Sequence, residues 1–477
     1  MNTLLKRHLE GPGGIREMVA IALPMVVSSA CETVMTFTDR LMLSRLGPEQ
    51  MSAAMGGGLT SFMMMTFFLG LTGYTTALVA QYFGSGRLNR CAVSVTQGLI
   101  IAMLAYPIIL AARPLAHLLF DLMNIPAVQL VPQRQYFNIL LYGVIFGLLR
   151  NCLSCFFSGI GKTTVVMFSA LTAMVVNVIT NYMLIFGKFG LPALEIRGAA
   201  IGTIAGSFCG LAVLVAAYLG SENRRTYNVV EAFRYDGEAM KKLFRYGYPA
   251  GLEFFLNLLA FNILILLFFA RGTTTAAAIT IVFNWDMVSF VPLIGVNIGV
   301  TSLVGRYMGA GSPDTAHRAT LSGLKLAWVY SFCILIAFAV FPEILVGVFR
   351  PAEETSVFSE VFPLAVAMLR LASLYVMADA LFLVFGGALR GAGDTFWAMC
   401  ISVTFHWVLV AVLFTLLRIF SVSAFAAWFM LCIIFMMFSC VIYLRYRSGK
   451  WRSLRVVEPE VETTLPDADG FHEPVNS

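Results

Sequence analysis

Long apolar runs separated by short polar or glycine-containing links repeat along nearly the whole chain. Their pattern is continuous rather than alternating. A helix rises about 1.5 Å per residue, so runs of this length can cross roughly 30 Å of hydrocarbon. Twelve spans are expected, at 17–45, 51–81, 91–112, 134–158, 164–187, 195–219, 245–271, 273–305, 319–342, 357–389, 395–417 and 421–444. A membrane β-barrel would instead show short segments of period two. Lipid offers backbone groups no partner, so these runs must satisfy their N–H and C=O groups internally, as helices. The predicted fold is an all-α integral membrane protein with twelve transmembrane helices.

The pattern also contains a duplication. Pro24, Gly47 and Val79-Ala80-Gln81-Tyr82-Phe83-Gly84-Ser85-Gly86 recur as Pro249, Gly272 and Val304-Gly305-Arg306-Tyr307-Met308-Gly309-Ala310-Gly311. The constant spacing, about 225 residues, is far longer than a solenoid repeat and fits a transporter built from two similar halves. A weaker match pairs Ser158-Gly159-Ile160-Gly161-Lys162-Thr163 with Arg390-Gly391-Ala392-Gly393-Asp394-Thr395. Two pseudo-symmetric six-helix bundles are therefore expected, at 17–220 and 243–446. A cytoplasmic linker at 221–242 joins them. Residues 1–16 read as a cytoplasmic N-terminal arm, and 447–477 as a cytoplasmic tail, basic and then acidic with prolines, that is expected to be disordered.

Composition agrees, since 59% of the residues are hydrophobic and 12% are charged, about half the usual charged share of a soluble domain. Loops on the N-terminal side of the expected spans hold about 20 Lys and Arg against about 8 on the other, which puts both termini in the cytoplasm of a multi-pass protein in the cytoplasmic (inner) membrane. The net charge of +6 follows from that bias and suits anionic headgroups, so membrane lipids are expected partners and nucleic acid is not. The first run is too long, and lacks a small-residue cleavage site, to be a removable signal. Nine scattered cysteines, nearly all in apolar segments, argue against a disulfide framework. Cys152 and Cys155 have no second pair or nearby histidine and read as packing residues.

Five carboxylates fall inside expected spans: Glu32, Asp39, Glu253, Asp286 and Asp379. An acid at mid-bilayer costs about 2.5–3.5 kcal/mol, so each is a functional candidate. Arg40, Arg150, Lys325 and Arg370 are intramembrane bases that could neutralise individual acids. Counting inward from the helix ends places Asp39, Asn177, Asn181 and Thr203 together in the outer half of the first bundle, with Asn177 and Asn181 on one face. A carboxylate with amide and hydroxyl oxygens suits a proton or a small hard cation. A hydrogen-bond cluster that joins helices is the alternative.

In the second half Glu253, Asn257, Asp286 and Asp379 overlap in depth. In one shared cavity, such acids could exchange protons. The duplication aligns Glu32 with Asn257 and Asp39 with Leu264, so the scaffold is repeated while the acids are not. Glu32, Glu253, Asn257, Asp286 and Asp379 are thus the candidates for substrate binding or a second coupling site. Glycines at 56–58, 84, 86, 309 and 311 are expected at close contacts and turns; with no Walker sequence beside them they are not nucleotide loops.

These segments, in this order and spacing, resemble the multidrug and toxin extrusion (MATE) family of secondary transporters. The resemblance is carried by Ala22-Leu23-Pro24, Asp39 to Gly47, Val79 to Gly84, Asn177 to Asn181, Arg197-Gly198-Ala199-Ala200-Ile201-Gly202-Thr203 and Leu389 to Thr395. It implies two six-helix bundles around a V-shaped cleft. It also implies export of amphipathic, often cationic compounds in exchange for protons or sodium. By the same resemblance Asp39 matches the carboxylate of a first-bundle cation site, Asn177 its amide and Thr203 its hydroxyl. Asn181 stands where many members have a second aspartate, which favours protons over sodium; a sodium ion would rest on Asp39 and Asn177. Asp379 matches an acidic position on helix ten. Many members have glutamate where Asn257 stands, and Glu253, one turn earlier, is the candidate to replace it.

The expected function is a monomeric antiporter that exports amphipathic, cationic drugs or metabolites by alternating access. Its coupling ion is H+ or Na+, with no other cofactor and no structural metal. A flippase of lipid-linked precursors would be favoured by a cleft ringed with basic groups. An intramembrane enzyme would need a nucleophile or metal motif, and His406 is the one clearly mid-membrane histidine, with no paired motif.

Overall fold

The computed structural model describes residues 10–122, 125–350 and 356–457. Among them twelve helices are long and apolar enough to cross a membrane, and no strand occurs. They are α1 (Ile15–Ser44), α2 (Pro48–Gly73, resuming as Thr75–Gly84), α3 (Leu88–Ala111), α4 (Ala127–Gly159), α5 (Thr163–Phe186), α6 (Ile196–Tyr218), α7 (Gly237–Phe269), α8 (Thr273–Gly309), α9 (Pro313–Val340), α10 (Ser356–Ala392), α11 (Thr395–Phe414) and α12 (Ala424–Arg447). The tail expected to be disordered is ordered as far as residue 457: Lys450–Ser453 form a short helical turn, and Trp451, Val456 and Val457 are buried because they find apolar partners. The rest of the tail and the first nine residues of the arm lie outside the described residues.

Two details depart from the sequence pattern. The second span is not one uninterrupted helix but breaks at Tyr74, where that ring stacks on Tyr246 of α7, 5.6 Å between centroids. The helices also begin earlier than the expected spans, α1 at Ile15 and α7 at Gly237, which puts Pro24 and Pro249 well inside them.

The halves meet where α1 lies along α8, and where the two parts of α2 lie along α7 and α8. Repeat-related glycines allow this approach. A Cβ on Gly84 would overlap the Arg306 carbonyl oxygen, and one on Gly309 would overlap the Gln81 carbonyl oxygen. The helices therefore cross with backbones in contact, as small residues permit in membranes. Side chains then lock the crossing: Gln81 donates to the Gly391 carbonyl at 2.8 Å, Arg306 to that of Ile160 at 3.0 Å, and Ser302 to that of Ser158 at 2.6 Å. Both turns of the weaker sequence match are thus held by the opposite copy.

The start of α1 and the segment after α12 reinforce the same end. Glu17 accepts hydrogen bonds from the Gly13 N–H at 2.8 Å and the Tyr307 hydroxyl at 2.6 Å, and pairs with Arg306 at 3.4 Å. Arg445 donates twice to Asp394, at 2.7 and 3.0 Å, and Trp451 stacks on Tyr446, which stacks on His317. Beyond them Val456 and Val457 are buried in a core shared by Leu71 and Tyr74 of the first half and Leu243 of the second. Val456 presses on Gly393, whose φ of +95° suits glycine. Phe62 and Phe254 also meet across the halves, 6.0 Å between ring centroids.

Candidate functional site

Helix α6 carries glycine at every fourth position, Gly198, Gly202, Gly206 and Gly210, all on one face. A Cβ there would strike the Leu184 backbone, the Asn181 amide, the Ala173 carbonyl and the Ser169 carbonyl in turn. This ridge brings α6 against the backbone of α5 and sets Thr203 beside Asn177 and Asn181, both fully buried. Asp39 of α1, 7% exposed, completes the group. It accepts hydrogen bonds from Asn181 and from Thr203 at 3.1 Å. Asn177 donates to Thr203 at 3.4 Å and accepts from Asn181 at 3.4 Å. The Asn181 Oδ1 is buried with no hydrogen-bond partner among the described residues. All four residues singled out in the first half therefore share one site, and buried Tyr136, which the sequence reading missed, adjoins it.

This group borders a cavity of about 830 Å³. Its wall comes mainly from α1, α2, α4 and α6, with Phe254 and Ile294 of the second half opposite. Glu32, Arg40 and Arg150 line the same space, and Arg150 pairs with Glu32 at 2.7 Å. Met65 of α2 reaches it too.

The second-half candidates do not form one cluster. Glu253, 3% exposed, pairs with Arg390 at 2.6 Å. Asn257 donates to Ser402 of α11 at 2.7 Å. Asp286 accepts from the Tyr375 hydroxyl at 2.6 Å. Asp379 is buried, its Oδ1 has no hydrogen-bond partner among the described residues, and Asp286 is close enough to interact with it electrostatically. The expectation that Glu253 joins Asp286 and Asp379 is thus corrected, because Arg390 reaches down from the end of α10 to neutralise it. Glu32 likewise belongs to the first-half cavity, apart from the other candidates of its group. Arg390 stood in a glycine turn and was missed. Its signal was the duplication, which sets that arginine against the neutral Ser158.

The sequence profile of the MatE family matches residues 24–183 and 249–417. The chain belongs to the MatE family. The matched stretches fall one in each half, as the duplication requires. A probable multidrug resistance protein NorM of Thermotoga maritima is 24% identical over 467 residues, covering 96% of this chain and 98% of its own. Another NorM, from Rhodopseudomonas palustris, is 29% identical, covering 82% and 83%. The multidrug resistance protein MdtK of Pectobacterium atrosepticum is 28% identical, covering 83% and 85%. Among solved structures, a MOP superfamily transporter from Pyrococcus furiosus superposes with a TM-score of 0.84 at 19% identity, covering 93% of this chain and 97% of its own. An outward-facing multidrug resistance MATE transporter gives 0.80 at 18%, with the same coverage. This MatE member is therefore a multi-pass membrane transporter with the twelve-helix fold of its family, and membership sets the enzyme reading aside.

Proposed function

We propose that the protein is an antiporter of the cytoplasmic membrane that exports amphipathic small molecules bearing a cationic group, in exchange for protons or sodium. The observation that carries this reading is the buried Asp39 carboxylate, held by an amide and a hydroxyl at the edge of a wide cavity. A charge so placed at membrane depth is costly unless it does work. Loss of that charge on protonation, or its screening by sodium, would change what α1 prefers to pack against, which couples ion and substrate through two conformations. The oxygens of Asp39, Asn177, Asn181 and Thr203 fit either ion, and one carboxylate rather than two favours the proton. Asp379 and Asp286 form a second candidate for coupling.

The glycine crossing, the Glu17 contacts and the segment after α12 close the end that the charge bias assigns to the cytoplasm. The cavity then faces outward, and alternating access would reverse this. A flippase of lipid-linked precursors fits less well, since the cavity is not ringed by basic groups alone: Arg40 and Arg150 share its lining with the acids Glu32 and Asp39. Efflux of a fluorescent amphipathic cation from everted vesicles, under an imposed pH gradient or an imposed sodium gradient, tests the reading. Asp39→Asn is expected to abolish gradient-driven movement with the protein still folded in the membrane. Normal efflux by that variant would remove Asp39 from the mechanism, and a response to sodium alone would overturn the preference for protons.

A further inference from the structure

Three charged groups face the first-half cavity openly: Glu32 on α1, Arg40 on α1 and Arg150 on α4. Asp39 is almost wholly withdrawn from it. Arg150 lies nine residues from the Gly159 end of α4, so at about 1.5 Å per residue it sits well inside the membrane. An ion pair at that depth is normally sealed, because two charges taken out of water repay their desolvation only when they hold each other tightly. This pair is not sealed: the Glu32 side chain is 56% exposed and that of Arg150 is 20% exposed. Glu32 engages one Nη of Arg150 and, among the described residues, no other group accepts from the guanidinium, whose Nε is buried. Arg40, exposed on the same wall, makes no ion pair or hydrogen bond among the described residues.

Both signs of charge are thus presented to one cavity with apolar neighbours such as Phe62, Met65 and Phe254. A lipophilic cation alone would find Glu32 already neutralised, and would face two guanidinium groups. We infer that this cavity takes amphipathic zwitterions. The ligand's carboxylate replaces Glu32 on Arg150, its cationic group replaces Arg150 on Glu32, and its aromatic body lies against the apolar wall. Planar guanidinium and carboxylate groups match each other's geometry, which makes arginine the suitable partner for such a group. This inference rests on the proposed export function and narrows its substrate class.

A rhodamine with a free benzoate and its methyl ester share one skeleton and differ in a single negative charge. Binding of each to the purified full-length chain in detergent is read by fluorescence anisotropy, with no gradient. The free acid is expected to bind about tenfold more tightly than the ester, the size of one charge-assisted hydrogen bond. In Arg150→Gln that preference should shrink to about twofold or less, and Arg150→Lys should restore part of it. Glu32→Gln leaves Arg150 in place without its partner and should raise the preference for the free acid. Equal binding of the two dyes by the unaltered protein overturns the inference, as does a preference that survives Arg150→Gln. If Arg150→Gln binds neither dye, the Glu32→Gln result decides, and an unchanged preference there also overturns it. Absence of efflux of both dyes from vesicles would instead sink the export reading and leave the binding result intact.

Discussion

Asp39 and its neighbours show how much one amide can decide. Asn181 donates to Asp39 and leaves its own oxygen unused. Asn181→Asp would put two carboxylates side by side, an arrangement that resists double ionisation and attracts a cation. Sodium-stimulated efflux should then appear or rise severalfold, read in vesicles with sodium varied at fixed pH. Asp394, 5% exposed at its side chain and paired twice with Arg445, is a different case. Asp394→Asn leaves a largely buried guanidinium without its partner, and such losses cost about 3 kcal/mol or more; the variant should melt earlier in detergent. The grouping of Asp39, Asn177, Asn181 and Thr203 was legible in the sequence because depth along a helix is simple counting. The splitting of the second-half acids was not. Arg390 belongs by sequence to a turn, and only the approach of α10 to α7 reveals that its side chain ends on Glu253.

Helices in this protein are placed by what they lack. The α6 ridge of Gly198, Gly202, Gly206 and Gly210 draws α6 onto α5, and the cation-site candidates depend on that distance. Gly206→Leu would drive a side chain into the Ala173 carbonyl, part Thr203 from Asn177, and is expected to lower both melting temperature and coupled efflux. A leucine at exposed Leu104 of α3 replaced by alanine should change neither. The start of α7 is set differently. Asp236 caps it by accepting from the Ala239 N–H at 2.9 Å and pairs with Arg90 at 2.6 Å. Burial alone would push the Asp236 carboxyl up, but that N–H and the Arg90 guanidinium outweigh it and hold it below its ordinary value. A depressed folded-state value means stability present at neutral pH and lost as pH falls through the acid range. Asp236→Asn should flatten the acid side of the melting curve against pH. Helix number and length could be read from apolar runs, whereas the break at Tyr74 could not, because it arises where two aromatic rings from different halves stack.

At the scale of the whole molecule, the duplication marked glycines for close contacts, and the structure shows that some of those contacts join the halves. Its repeated glycines form the crossing at Gly84 and Gly309, and Arg306, which stands where the first copy has Gln81, forms the link to Glu17. Neither the N-terminal tie nor the burial of Val456 and Val457 was legible, since short polar-flanked stretches carry no periodicity. A chain ending after Gly449 loses those two valines from the seam between halves. A cysteine placed at Ser302 should then label faster from the terminus-bearing side, by about tenfold if the seam loses some 1.4 kcal/mol.

The valines at 456 and 457 follow all twelve spans in the order of synthesis, yet they fill a core laid down by α2 and α7. While the ribosome is still making the last helices, that core stands uncovered toward the side from which the chain is being made. Newly inserted protein must therefore pass through a stage in which all its spans are present but one door has no bolt. The seam is filled only after Val456 and Val457 have been delivered.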